Sequence, residues 1–157
     1  MTRVLFIDAI KYWEKGREVE ASIDHPGLLY LASYIRQQFG FDYFDIKIIY
    51  RDIERFLKNF KPHIVGISSV TQNFNIAKKY AKIVKSAGFS VVVGGAHISA
   101  LPCTLSEEMD VCVIGEGEET IVELLKLYET EKTFSNKKML YKIKGIVYKD
   151  GDKYIQT

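Results

Sequence analysis

The chain has 157 residues, 47% apolar and 27% charged, with a formal charge of +2; this is the size of one globular domain able to bury roughly 70% of its unfolded surface. So small a net charge, with Lys and Glu interspersed, gives no nucleic-acid footprint, and no apolar run approaches the ~20 residues of a membrane span. Two cysteines, Cys103 and Cys112, supply neither a disulfide framework nor metal-ligand spacing, which suits a reduced, cytoplasmic setting.

Met1-Thr2-Arg3 runs straight into apolar Val4-Leu5-Phe6-Ile7, so the opening reads as a strand over residues 4–8 rather than a secretory leader. Residues 9–24 are polar and read as a loop. A helix follows from Pro26, with Leu28, Leu31, Ala32 and Ile35 stepping along one face and Gly40 ending it. The partial alternation of residues 45–50 predicts an outer strand. Ile53–Phe60 reads as a short helix stopped before Pro62, and Ile64–Ser68 as a buried strand. A helix over 75–87 puts Ile76, Tyr80, Ile83 and Val84 on one side and four lysines on the other. Residues 90–93, nearly all valine, predict a central strand. A short helix is expected over 102–109, a strand over 111–114 and a long helix over Glu118–Glu131, whose first carboxylates suit the positive end of a helix dipole. Residues 133–142 read as loop, and 145–155 as a hairpin turning on Asp150-Gly151.

Short apolar runs alternating with amphipathic stretches define an α/β fold with a doubly wound, mostly parallel sheet. Right-handed crossovers and a polar outer strand favour five strands in the flavodoxin-like order 2-1-3-4-5, with the hairpin at the carboxyl terminus. That order places Asp8-Ala9, Ser68-Ser69, Gly94-Gly95 and Gly115 on one rim. Ligands of open parallel sheets bind at such carboxyl ends.

The turns at that rim carry the chemistry. Gly94 and Gly95 permit close backbone approach and positive φ, although a tight turn alone also needs glycine. Ser68, Ser69 and Thr71 offer hydroxyls that could bond a ligand or merely cap the backbone. Gly115-Glu116-Gly117-Glu118 resembles half of a dinucleotide fingerprint, but Thr120 stands at the third glycine and the segment follows the fifth strand. A nicotinamide site is therefore not supported. His97 could touch a ligand edge; His25 and His63 read as turn or surface residues. A receiver domain would need an aspartate at Ser68 and a lysine at Gly115. A flavodoxin would need a phosphate loop where Ala9-Ile10-Lys11-Tyr12-Trp13 stands.

Several segments together resemble the amino-terminal cobalamin-binding domain of cobalamin-dependent radical S-adenosylmethionine enzymes, which include methyltransferases and the anaerobic magnesium-protoporphyrin monomethyl ester cyclase. They are His25-Pro26-Gly27-Leu28-Leu29-Tyr30-Leu31-Ala32-Ser33-Tyr34-Ile35, Pro62-His63-Ile64-Val65-Gly66-Ile67-Ser68-Ser69-Val70-Thr71, Val93-Gly94-Gly95-Ala96-His97, Leu101-Pro102, residues 110–119 and Lys144-Gly145-Ile146-Val147-Tyr148. The resemblance implies cobalamin contacts from Ser68, Ser69, Val70, Thr71 and Gln72, from Gly94, Gly95, Ala96 and His97, and from Gly115, Glu116, Gly117 and Glu118, with Asp8 and Ala9 on the same rim. The Asp-x-His-x-x-Gly element of methionine-synthase-like domains is missing after Asp8, so no histidine of that loop would reach cobalt. The Cys-x-x-x-Cys-x-x-Cys motif is also missing, so the iron–sulfur cluster and S-adenosylmethionine would belong to a catalytic domain of the parent chain. Residues 1–131 are then the cobalamin-binding-like domain, and 132–157 a loop and hairpin leading to that catalytic partner; ending just past the hairpin fits an excised domain. The alternative is a non-catalytic interaction domain of the same fold that has lost cobalamin, in which Tyr12, Trp13 or Phe74 would block the rim.

Overall fold

The structure, a computed structural model, describes residues 1–9 and 26–157. Five parallel strands, β1 (Thr2–Asp8), β2 (Phe44–Ile49), β3 (Ile64–Ser68), β4 (Ser90–Gly94) and β5 (Val111–Val113), lie in the expected order 2-1-3-4-5. The sheet has seven strands rather than five. The hairpin, β6 (Ile146–Asp150) and β7 (Lys153–Gln156), extends it, with Val147 opposite Cys112 and Ile146 opposite Val113 in antiparallel register. The extension covers what would be the open, apolar edge of β5.

Alternation along each strand feeds two cores. From β1, Val4 and Phe6 pack under α1 (Pro26–Phe39) and α5 (Glu118–Glu131), whereas Leu5 and Ile7 pack against α2 (Ile53–Phe60) and α3 (Phe74–Ser86). Burial on both faces explains why β1, β3 and β4 are nearly continuous apolar runs. The polar edge reading of 45–50 and the central reading of the valine strand agree with the observed places of β2 and β4. Helix α1 starts at Pro26, whose missing N–H costs nothing in a first turn. It buries Leu28, Ala32 and Ile35, then ends at Gly40, which takes φ 101° and donates to Arg36 O at 2.9 Å.

Two expectations need correction. The helix expected at 102–109 is instead one 3-10 turn, Pro102–Thr104, preceded by the short helix α4 (Ala96–Ala100). Gly95 turns the chain back immediately after β4, so the helical turn begins six residues earlier than Pro102 would suggest. Within 133–142, read as loop, α6 (Lys137–Leu140) forms under an Asn136 cap whose side chain accepts from Met139 N at 3.3 Å. The loop assigned to residues 9–24, apart from Ala9, and the reading of His25 lie outside the described residues.

Candidate functional site

Parallel register places Asp8 beside Ser68 and Ser68 beside Gly94, so the ends of β1, β3 and β4 form one row. Backbone bonds continue that row past the sheet: Ala9 N donates to Ser68 O at 2.9 Å and Ser69 N to Gly94 O at 3.2 Å. Gly95 has φ 101° and ψ −178°, a conformation restricted to glycine. A Cβ there would stand 2.5 Å from Ser69 O and 3.1 Å from Ser68 Oγ, so the turns after β3 and β4 interlock only because Gly95 has no side chain.

The turn after β5 is joined to the same row by Ser99. Its Oγ donates to Gly95 O at 3.0 Å and accepts from Gly115 N at 2.9 Å. Sequence reading missed Ser99, because its position four residues after Gly95 matters only once α4 is known to start there. The structure thus brings Asp8, Ala9, Ser68, Ser69, Gly94, Gly95 and Gly115 together along one rim.

Below the rim a slot of about 220 Å³ opens between the sheet and helices α1 and α5. Its origin is compositional. The α1-facing positions at the ends of β3 and β4 are Gly66, Ser68 and Gly94, so the sheet raises almost no side chain there. Leu28, Leu31, Val113 and Ile121 wall the space, while Glu116, Gly117 and Glu118 line its mouth. Gly66 has a further reason to be glycine, since a Cβ would lie 2.6 Å from the Phe6 ring at the base of the slot.

Other candidates are placed differently. His97 is buried, with its ring stacked on Phe74 at 3.8 Å between centroids. Its Nδ1 is 3.2 Å from Thr71 Oγ1 and its Nε2 3.1 Å from Thr104 Oγ1. Burial, and then the charge of Lys78, holds its pKa below the usual histidine value. The ring therefore braces α4 against the turn after β3, and only the His97 backbone reaches the rim, donating to Ser69 O at 3.4 Å. Val70, Thr71, Gln72 and Ala96 are exposed outside the slot. Ser69 is buried, and its Oγ has no hydrogen-bond partner among the described residues. Phe74, a candidate for blocking the rim, is packed into the opposite core; Tyr12 and Trp13 lie outside the described residues. Thr120, at the position of a third fingerprint glycine, is buried and donates to Lys144 O at 3.2 Å, tying α5 to the hairpin.

A slot walled by aliphatic side chains and glycine, with carboxylates at its mouth, suits a flat apolar ring carrying amide donors better than a bare phosphate. An apolar cavity of about 150 Å³ already admits benzene. The B12 binding domain family model matches residues 16–125, a span that includes every turn of the rim beyond β1. The chain is 35% identical over 140 residues to an uncharacterized methyltransferase of Pyrococcus horikoshii, covering 81% of this chain and 28% of that protein. It is 26% identical over 165 residues to the anaerobic magnesium-protoporphyrin IX monomethyl ester cyclase of Cereibacter sphaeroides, covering 99% of this chain and 26% of that enzyme. It thus spans only about a quarter of the length of these relatives.

Proposed function

Because the chain belongs to the B12 binding domain family, we propose that it holds cobalamin at the carboxyl edge of its sheet on behalf of a radical S-adenosylmethionine catalytic domain in the parent chain. The glycine slot would receive the planar base of the nucleotide tail, and the row of turns above it would carry the edge of the corrin. The observation that carries this reading is the slot itself, an apolar space created by Gly66, Ser68 and Gly94 directly beneath the interlocked turns.

The residues present fit such a group. Leu28, Leu31 and Ile121 would exclude water from an aromatic base. Glu116 and Glu118 can accept hydrogen bonds from amide N–H groups. The buried Ser69 hydroxyl, unpartnered among the described residues, supplies one further donor at the rim. When bound, cobalamin supplies alkyl-group chemistry at cobalt; the contribution of this domain is to orient and shield it. Methyl transfer or an anaerobic ring-forming oxidation is the parent activity that the relatives' names support. The iron–sulfur cluster and S-adenosylmethionine would be held by the catalytic partner. A downstream Cys-x-x-x-Cys-x-x-Cys in the encoding gene tests that part.

Gel filtration of the chain mixed with hydroxocobalamin tests the binding. Coloured ligand should travel with the protein, and Gly94→Leu should abolish this while leaving the fold intact. A Cβ at Gly94 meets only Val113, at 3.8 Å, so the added side chain fills the slot without straining the backbone. Colourless elution of the unaltered chain with every cobalamin form would instead favour an interaction domain that has lost the ligand.

A further inference from the structure

The outer edge of the sheet presents two unlike grooves on the two faces of one strand. Among the described residues β2 is bonded only to β1, so its other side offers an unpaired row of backbone N–H and C=O groups. Such an edge is a template for a further strand unless charge, a bulge or a covering element blocks it.

On the α2 side, a groove of about 850 Å³ is lined by Arg3, Lys47, Arg51, Arg55 and Lys61 against a single carboxylate among the described residues, Asp52. Among the described residues only Arg51 of these cations has a carboxylate within ion-pair distance. Lys47 Nζ sits 4.4 Å over the Phe60 ring, and the Arg51 guanidinium 5.6 Å over Tyr50. The Arg51–Asp52 contact, 3.9 Å between exposed side chains, is the weak kind that solvent screens. On the α1 side of the same strand, a groove of about 520 Å³ is lined mainly by Leu29, Ala32, Phe41, Ile46 and Ile48, together with Ser33, Gln37 and Arg36, whose guanidinium lies 4.6 Å over the Phe41 ring. Phe41 is 73% exposed and Leu29 53%, an unusual display of large apolar groups beside an open strand.

We propose that this edge receives an extended polypeptide segment of alternating acidic and apolar residues, added to the sheet beside β2. Side chains of a strand alternate between faces. Every second residue of an incoming strand would therefore meet the cations under α2, and the intervening ones the apolar groove under α1. Backbone bonding to β2 would supply affinity, and the two unlike grooves would set register and sequence preference. A small anion would use the cations but neither the free edge nor the apolar groove, so the combination selects a strand. The grooves share no residue with the slot, and the proposal stands whether or not cobalamin binds.

The test is fluorescence anisotropy of the chain with a labelled peptide alternating glutamate and valine, followed by amide hydrogen exchange on the complex. Saturable binding is expected, weakened roughly tenfold or more by Arg51→Glu combined with Arg55→Glu, as loss of complementary charge implies. Both arginines are exposed, so the double variant should keep its circular dichroism. Amides of residues 44–50 should exchange more slowly in the complex. Equal binding of a peptide with the same composition in blocks, or of one N-methylated at alternate residues, would overturn strand addition and leave charge alone. Absence of binding, or protection confined to other strands, would also overturn it.

Discussion

At the scale of single residues, the rim depends on atoms that are absent. Gly95 combines a glycine-only backbone conformation with a 2.5 Å approach between its missing Cβ and Ser69 O. Gly95→Ala would add backbone strain to a clash against main chain that cannot rotate away, costing on the order of 3 kcal/mol. In a domain of this size that is a fall in Tm of about 10 °C, measurable by thermal unfolding. Gly94, one residue earlier, has neither constraint, so a diglycine that is a single signal in sequence separates into a structural glycine and a slot-forming one. The histidines make a second prediction. Burial, joined by Arg3 for His63 and by Lys78 for His97, holds both pKa values below the ordinary one. The unfolded chain then binds more protons, so stability should be fully present above about pH 6.5 and decline as pH falls below it towards the folded-state values. His97→Gln should flatten part of the slope in Tm between pH 7 and pH 5, whatever its effect on Tm at neutral pH. An unchanged slope would contradict the burial argument. The rim glycines and hydroxyls were legible because their residue types announce turns. The inward turn of His97 and the bridge made by Ser99 were not, because both depend on where α4 begins.

At the scale of elements, periodicity read helices of two turns or more well and the single-turn ones poorly. Helices α2 and α5 have the expected bounds, since each carries at least two turns of apolar spacing and a clear stop. Helices α4 and α6, with five and four residues, are too short to show a period and exist because neighbouring turns hold them. The proline at 102 marks only one 3-10 turn, so a breaker signal taken as a helix start misplaced the element. The end of α5 also carries a testable strain. Lys132 closes it in the left-handed region, φ 56° and ψ 15°, with its N–H donating to Tyr128 O at 2.8 Å. Glycine is the residue usually found there, because a side chain in this conformation costs about 1–2 kcal/mol. Lys132→Gly should therefore stabilise the chain by about 1 kcal/mol and raise Tm by about 2–4 °C. The pair that Lys132 makes with Glu129 is 3.4 Å apart with an exposed ammonium, so solvent screens it and it offsets little of this.

At the scale of the whole molecule, strand order followed from the alternation of buried runs and amphipathic helices, but strand number did not. A hairpin signal says that two strands pair with each other; whether they also pair with the sheet depends on an edge contributed by distant residues. Here β5 is only three residues long, and β6 lies against it with Ile146, Val147 and Tyr148 all but completely buried. Fully burying a large apolar side chain contributes about 1.5–3 kcal/mol. Three of them together approach the 5–15 kcal/mol that typically separates folded from unfolded domains. Removal also unpairs Ile114 N from Gly145 O, beside the turn that closes the rim. A chain truncated after Lys144 should therefore lose its cooperative unfolding transition, or show it at far lower denaturant, as followed by circular dichroism in urea. It should fail to retain hydroxocobalamin for the same reason. If the truncated chain unfolded at the same midpoint as the intact one, the hairpin would be a passive tether to whatever follows it. The predicted loss makes it instead the last structural strut of the rim, so that any domain joined beyond residue 157 would be coupled through the sheet to the place where cobalamin is proposed to sit.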